Sequence, residues 1–118
     1  MYKEFYELGI WKNGYNALMY VYTITEKYPE WEKYALVSQT VRSANSIIAN
    51  IAESHGRFYY ADKKRILYIS RGEIAEARSH LSVAFGKNYL TKEEFIHINN
   101  LYKQLTKDLN LYINSLKK

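Results

Sequence analysis

Arg57, Lys63, Lys64, Arg65 and Arg71 fall within one short stretch, with His55 beside them and Phe58, Tyr59 and Tyr60 inside it. Cations neutralise phosphate and release its counterions, and exposed aromatic rings stack on unpaired bases. Basic residues interleaved with aromatics are therefore what an RNA-binding edge needs. The competing reading is a solvated charged surface that keeps a small domain soluble. A net charge of +5 does not decide between them. The charge is uneven, however. Residues 1–33 sum to −1 (four Lys, five Glu) and residues 61–90 to +3 (six Lys or Arg, three acids). The candidate nucleic-acid contacts are Arg57, Lys63, Lys64, Arg65 and Arg71, with Tyr59 and Tyr60 available to stack.

A second polar group precedes this run. Residues 42–57 are helical in pattern, yet small or polar for the most part. Arg42, Asn45, Ala49 and Glu53 form one stripe at helical spacing, beside the apolar seam Val41, Ala44, Ile48 and Ile51. The expectation is a structural polar stripe of Arg42, Asn45, Asn50 and Glu53, held by hydrogen bonds at the edge of a core or an interface. The alternative is a site lined by those groups.

Catalytic and metal chemistry find little support. Glu94-Phe-Ile-His97 has the Glu-x-x-His spacing used by di-iron bundles, but those sites need two such motifs and further carboxylates. Glu94 is better explained as the partner of Thr91 in a capping box, and Glu76 and His80 as a surface pair one turn apart. There is no Gly-rich phosphate loop and no nucleophile beside a convincing base. The chain reads as a non-enzyme without metal or cofactor.

The elements that must position these residues are helical. There is one Pro, and no alternating pattern bounded by turns. Ile10, Gly14, Ala17, Val21, Ile24 and Tyr28 form the first seam, and Trp11, Tyr15, Leu18, Tyr22 and Thr25 run beside it. Pro29 marks the stop. A second helix is expected to begin between Trp31 and Ala35 and to end at Gly56. A third starts near Ala61 or Asp62, with Leu67, Ile74, Ala77, Leu81 and Ala84 inward, and ends at Gly86. Thr91, Glu94, Leu90 and Phe95 announce the fourth as a capping box with a hydrophobic staple. Its seam is Phe95, Ile98, Tyr102, Leu105, Leu109, Tyr112 and Leu116. Short turns make sequential helices antiparallel neighbours. The expectation is an all-α, up-down-up-down four-helix bundle, with residues 1–118 as a single domain.

The 118 residues hold no cysteine, which excludes disulfides and thiolate metal sites. No apolar run approaches the ~20 residues of a membrane span. The first residues are charged and lack the apolar core of a signal peptide. These point to a soluble, cytoplasmic protein with no membrane partner. Thirteen tyrosines and the doubled seam of the first helix exceed what one four-helix core absorbs, and point to self-association.

The motif in residues 42–57 also carries a resemblance. Arg42, Ala44, Ser46, Ile47, Asn50, Ile51, Ala52, Glu53 and Arg57 match the signature of the small four-helix-bundle proteins encoded in intervening sequences of bacterial 23S rRNA genes. Ser54 stands where that family usually has Gly, and Ile48 where many members have Pro. Leu8, Trp11, Tyr28-Pro29, Leu67-Tyr68-Ile69, Gly72, Glu76 and Tyr89-Leu90 also fall where the family has similar residues. The chain is similar, too, to the accessory variability proteins of diversity-generating retroelements. The resemblance implies a homopentamer with a central channel. It implies RNA as a partner and, in the retroelement setting, a reverse transcriptase. A scaffold that docks an acidic protein is the other reading of the basic surface.

Overall fold

A computed structural model describes residues 2–117, and among them there are four α-helices and no strand. They are α1 (Gly9–Thr25), α2 (Leu36–His55), α3 (Tyr60–Gly86) and α4 (Lys92–Ser115). Single 3-10 turns cover Phe5–Glu7 and Glu30–Glu32. Among the described residues no helix is long and apolar enough to cross a membrane.

The seams read from the sequence become one shared core. Val21, Ala44, Ile47, Leu67, Ala77, Ile98, Tyr102 and Leu109 are completely buried, or nearly so. α1 packs on α2 and α4, and α3 packs on the same two. Two features bring backbones close. At Gly14 an added Cβ would run into Ile48 Cγ2, so the glycine lets α1 approach α2. The buried residues of α2 and α3 include the small Ser43, Ala44, Ser54, Ser70 and Ala77. Between these two helices the Ser70 hydroxyl donates to the Ile47 carbonyl (2.7 Å) and the Ser54 hydroxyl to the Lys63 carbonyl (2.8 Å).

The helix ends depart from expectation in instructive ways. α2 begins at Leu36, because Pro29 leads into the 3-10 turn at Glu30–Glu32. That turn is held from outside, by the Tyr89 hydroxyl donating to Glu32 (2.9 Å). α3 runs through Gly86, and Asn88 rather than the glycine takes the left-handed conformation (φ 64°). Tyr89 N–H then reaches the Ala84 carbonyl and Asn88 N–H the Phe85 carbonyl, both at 3.0 Å, which is a Schellman closure. Gly56 ends α2 in a right-handed conformation (φ −80°) that demands no glycine. The start of α4 is as expected: Glu94 N–H donates to the Thr91 hydroxyl (3.1 Å), and Thr91 N–H to the Glu94 carboxylate (2.9 Å). In α4, Ile113 is buried in the seam and Tyr112 lies at its margin.

Candidate nucleic-acid interface

The turn between α2 and α3 displays its aromatics. Phe58, Tyr59 and Tyr60 are 84%, 68% and 41% exposed, and the Phe58 and Tyr59 rings meet edge to face at 5.0 Å. Tyr59 supplies the residue before α3 in extended backbone (φ −87°, ψ 141°), and Asp62 sits in the first turn without capping it.

The five cations around this turn have different employments. Arg57 donates to Glu53 one turn back (2.6 Å), and that carboxylate holds the guanidinium further above its ordinary pKa. Arg65 lies 3.7 Å from Asp62. The Lys63 ammonium turns back onto the open end of α2, donating to the carbonyls of His55 (3.1 Å) and Ser54 (3.4 Å). It acts there as a C-terminal cap, a favourable place for a cation. Lys64 is half-buried on α3. Arg71 lies further along α3, its guanidinium carbon 4.8 Å from the Tyr68 ring centroid and its Nη1 donating to Asn110 of α4 (2.9 Å). The turn thus gathers Arg57, Tyr59, Tyr60, Lys63 and Arg65, and Lys64 sits at its edge on the flank of α3 that also carries Arg71 two turns further on.

The polar stripe of α2 lies toward the surface of the single chain. At about 100° per residue, Arg42, Asn45, Ala49 and Glu53 fall roughly 100 to 180° around the helix from the buried Ala44. The side chains of Arg42 and Glu53 are 51% and 52% exposed. Arg42 bonds the Glu76 carboxylate of α3 and lies 3.8 Å from Glu73. Asn50, half-buried, donates to the Ser46 carbonyl (2.8 Å), and Asn45 is exposed. His55, at the end of the seam, bonds the Lys3 carbonyl and stacks near Tyr2.

Among the described residues no three His, Asp or Glu side chains gather into a metal-holding group. Glu94 accepts from Lys27 and from Thr91, which draw its pKa down, and His97 packs edge-on against Tyr20. His80 lies 3.3 Å from Glu76 as a helical pair.

Sequence reasoning passed over Arg78, whose Nε donates to Asn99 of α4 (2.8 Å). The signal was its seven-residue spacing from Arg71, which puts both on one face.

A family model described as 23S rRNA-intervening sequence protein matches residues 6–111. The crystal structure of a protein of unknown function from the S23 ribosomal protein family of Bacteroides thetaiotaomicron VPI-5482 has the same fold, with a TM-score of 0.80 and 26% identity. That match covers 90% of this chain and 99% of the other. No curated protein matches the chain.

Proposed function

From its membership of the 23S rRNA-intervening sequence protein family, we propose that the chain is a non-enzymatic RNA-binding protein that works as a homo-oligomer. Its RNA-contacting corner is the basic aromatic turn between α2 and α3. The observation that carries this is the exposure of three consecutive aromatics, Phe58 to Tyr60, among Arg57, Lys64 and Arg65. A core has no use for those rings, whereas unpaired bases do.

The architecture under this reading is an antiparallel up-down-up-down bundle. Its support is the pairing of rising with falling residue numbers: Arg42 with Glu76, Ile47 with Ser70 and Ser54 with Lys63 across α2 and α3, and Arg71 with Asn110 and Arg78 with Asn99 across α3 and α4. The assembly is a pentamer of about 70 kDa (five chains of 14.0 kDa) formed through the outer side of α1 and the start of α2. Tyr15, Met19, Tyr22, Trp31 and Tyr34 are all more than 40% exposed there, beside a groove lined by Val37 and Val41. Contiguous apolar surface of this kind marks an interaction site. Five copies repeat the basic corner, and multivalency raises avidity without any new contact. In a retroelement the same assembly would also hold a reverse transcriptase.

The test uses Tyr59→Ala/Tyr60→Ala against two labelled RNAs, a hairpin with a large unpaired loop and a blunt duplex. Stacking is worth about 1 to 3 kcal/mol per base, so hairpin affinity should fall roughly 5-fold or more while duplex affinity holds. Unchanged hairpin binding by a folded variant would remove the turn from the interface.

A further inference from the structure

Charge is sorted around α3. At about 100° per residue, Lys64, Arg71 and Arg78 fall within roughly 40° of one another, on the flank that meets α4. The three acids of α3, Asp62, Glu73 and Glu76, lie about 140 to 200° away from Arg71, on the flank that meets α2. There Glu76 and Glu73 engage Arg42, and Asp62 lies beside Arg65.

α4 repeats the division. Asn99 and Asn110 meet the two arginines of α3. Lys103 and Lys107 lie between those rungs in sequence, within about 80° of Asn99, and both are exposed. Two of the acids face elsewhere: Glu94 is bonded to Lys27 of α1, and Asp108 lines a groove against α1 beside Ile10. Glu93, in the first turn of α4, projects within about 40° of Lys107 but lies about 21 Å from it along the axis. Among the described residues, none of Lys64, Arg71, Arg78, Lys103 and Lys107 has a carboxylate within 4.0 Å.

The partners of the two arginines matter as much as their positions. Arg42, Arg57 and Arg65 stand beside carboxylates in exposed pairs, which compete with phosphate for their N–H donors. Arg71 and Arg78 are held by neutral amide oxygens, Asn110 Oδ1 at 2.9 Å and Asn99 Oδ1 at 2.8 Å. A guanidinium has five N–H donors, and an amide oxygen occupies one of them while leaving the charge intact. Such an arginine is fixed in place yet still able to bind phosphate bidentately. The two are seven residues apart, about 10 Å along the axis. A strand of B-form duplex presents a phosphate roughly every 3.4 Å of axis, and A-form RNA somewhat more closely, so the face spans about three to four of them.

We infer that the α3–α4 face is a second RNA site, a track for the phosphodiester backbone made by Arg71, Arg78, Lys103 and Lys107 and organised by Asn99 and Asn110. The inference rests on the RNA-binding reading and extends it: the aromatic turn holds unpaired bases and this face holds backbone.

The experiment gives the arginines carboxylate partners without removing a cation. In Asn99→Asp/Asn110→Asp, each guanidinium acquires a near-isosteric anionic partner and loses its call on phosphate. Affinity for a labelled, fully paired RNA duplex is measured from 0.05 to 1 M salt, with melting temperature and assembly mass checked alongside. Two lost contacts should flatten the slope of log affinity against log salt by about 1.4 to 1.8, which is roughly a 25- to 60-fold loss at 0.1 M if affinity at 1 M is unchanged. Asn13→Asp/Asn45→Asp, on exposed positions of α1 and α2, adds the same charge elsewhere and should alter affinity less than about 3-fold. If the aspartates disturb folding, Arg71→Gln/Arg78→Gln carries the same expectation for the slope. Equal losses in both aspartate pairs would reduce the effect to net charge and overturn the site. A wild type that binds duplex while Asn99→Asp/Asn110→Asp keeps its slope would overturn the site alone. A wild type without affinity for any RNA would overturn the RNA reading and this inference together. Displacement of the duplex by poly-glutamate at equal charge concentration would assign the face to acidic protein instead.

Discussion

Among the described residues Tyr102 is the largest completely buried side chain, and its hydroxyl has no hydrogen-bond partner among them. A buried unpartnered hydroxyl forfeits its hydration, at a cost of about 1 to 3 kcal/mol by protein mutational measures. Tyr102→Phe keeps the ring and removes that cost, leaving only a void smaller than a methyl group. The variant should therefore be more stable than the wild type, by about 1 kcal/mol, or roughly 4 °C in melting temperature for a chain of this size. The same burial pushes the phenol well above its ordinary pKa. The sign of the pH effect follows. In the unfolded chain Tyr102 ionises near the usual value of about 10, while in the folded protein it stays protonated. The folded state then binds the extra proton, so this residue's contribution is intact below pH ~10 and declines above it, by about 1.4 kcal/mol per pH unit, until the folded pKa is reached. Urea unfolding at pH 8, 10 and 11 reads both effects. Tyr102→Phe should gain at pH 8, and its advantage should widen at pH 11. A variant that loses 1 kcal/mol or more, with the alkaline decline unchanged, would show that the hydroxyl is satisfied and would refute the reasoning.

Thr91→Ala should cost about 1 kcal/mol in urea unfolding, since it removes the acceptor for Glu94 N–H at the start of α4. Glu94 has a lowered pKa, through Lys27 first and Thr91 second, so its contribution is present above the ordinary carboxylate range and lost as pH falls through the folded value; Glu94→Gln should blunt the acid limb of a pH–stability profile below about pH 4.5. Arg42→Ala should cost only about 1 kcal/mol, less in high salt, because the arginine is half exposed; a loss of 3 kcal/mol or more would place it in a buried network. Gly14→Leu should lower stability by at least ~1 to 3 kcal/mol, because even a Cβ meets Ile48 there; unchanged unfolding would show that α1 and α2 are free to separate. Light scattering should return about 70 kDa, five times 14.0 kDa, at micromolar protein; a mass near one chain would remove self-association.

What the sequence disclosed, it disclosed through local regularities. The 3-and-4 spacing of Val21, Ile51, Leu67 and Leu105 needs no knowledge of neighbours, and those residues are buried. The Thr91–Glu94 box is equally local and equally legible. Errors came where a distant group decides. The late start of α2 follows from a 3-10 turn tied down by Tyr89, fifty-seven residues away from Glu32. The left-handed residue after α3 is Asn88 and not the nearby glycine, a choice set by where the two closing hydrogen bonds fall. The basic turn was visible as composition, but composition does not say which cations are already matched by Glu53 and Asp62. The arginines held by Asn99 and Asn110 are legible only once α3 lies beside α4, since neither asparagine is remarkable in its own helix.

The central claim is that this helical protein binds RNA through charge displayed on its surface. The most direct test is the salt dependence of wild-type binding to a structured RNA. Four phosphate contacts on α3 and α4 should give a linear fall of log affinity with log salt, with a slope of about −2.8 to −3.6 or steeper. Affinity that does not change with salt, or no affinity at 0.05 M, would contradict it.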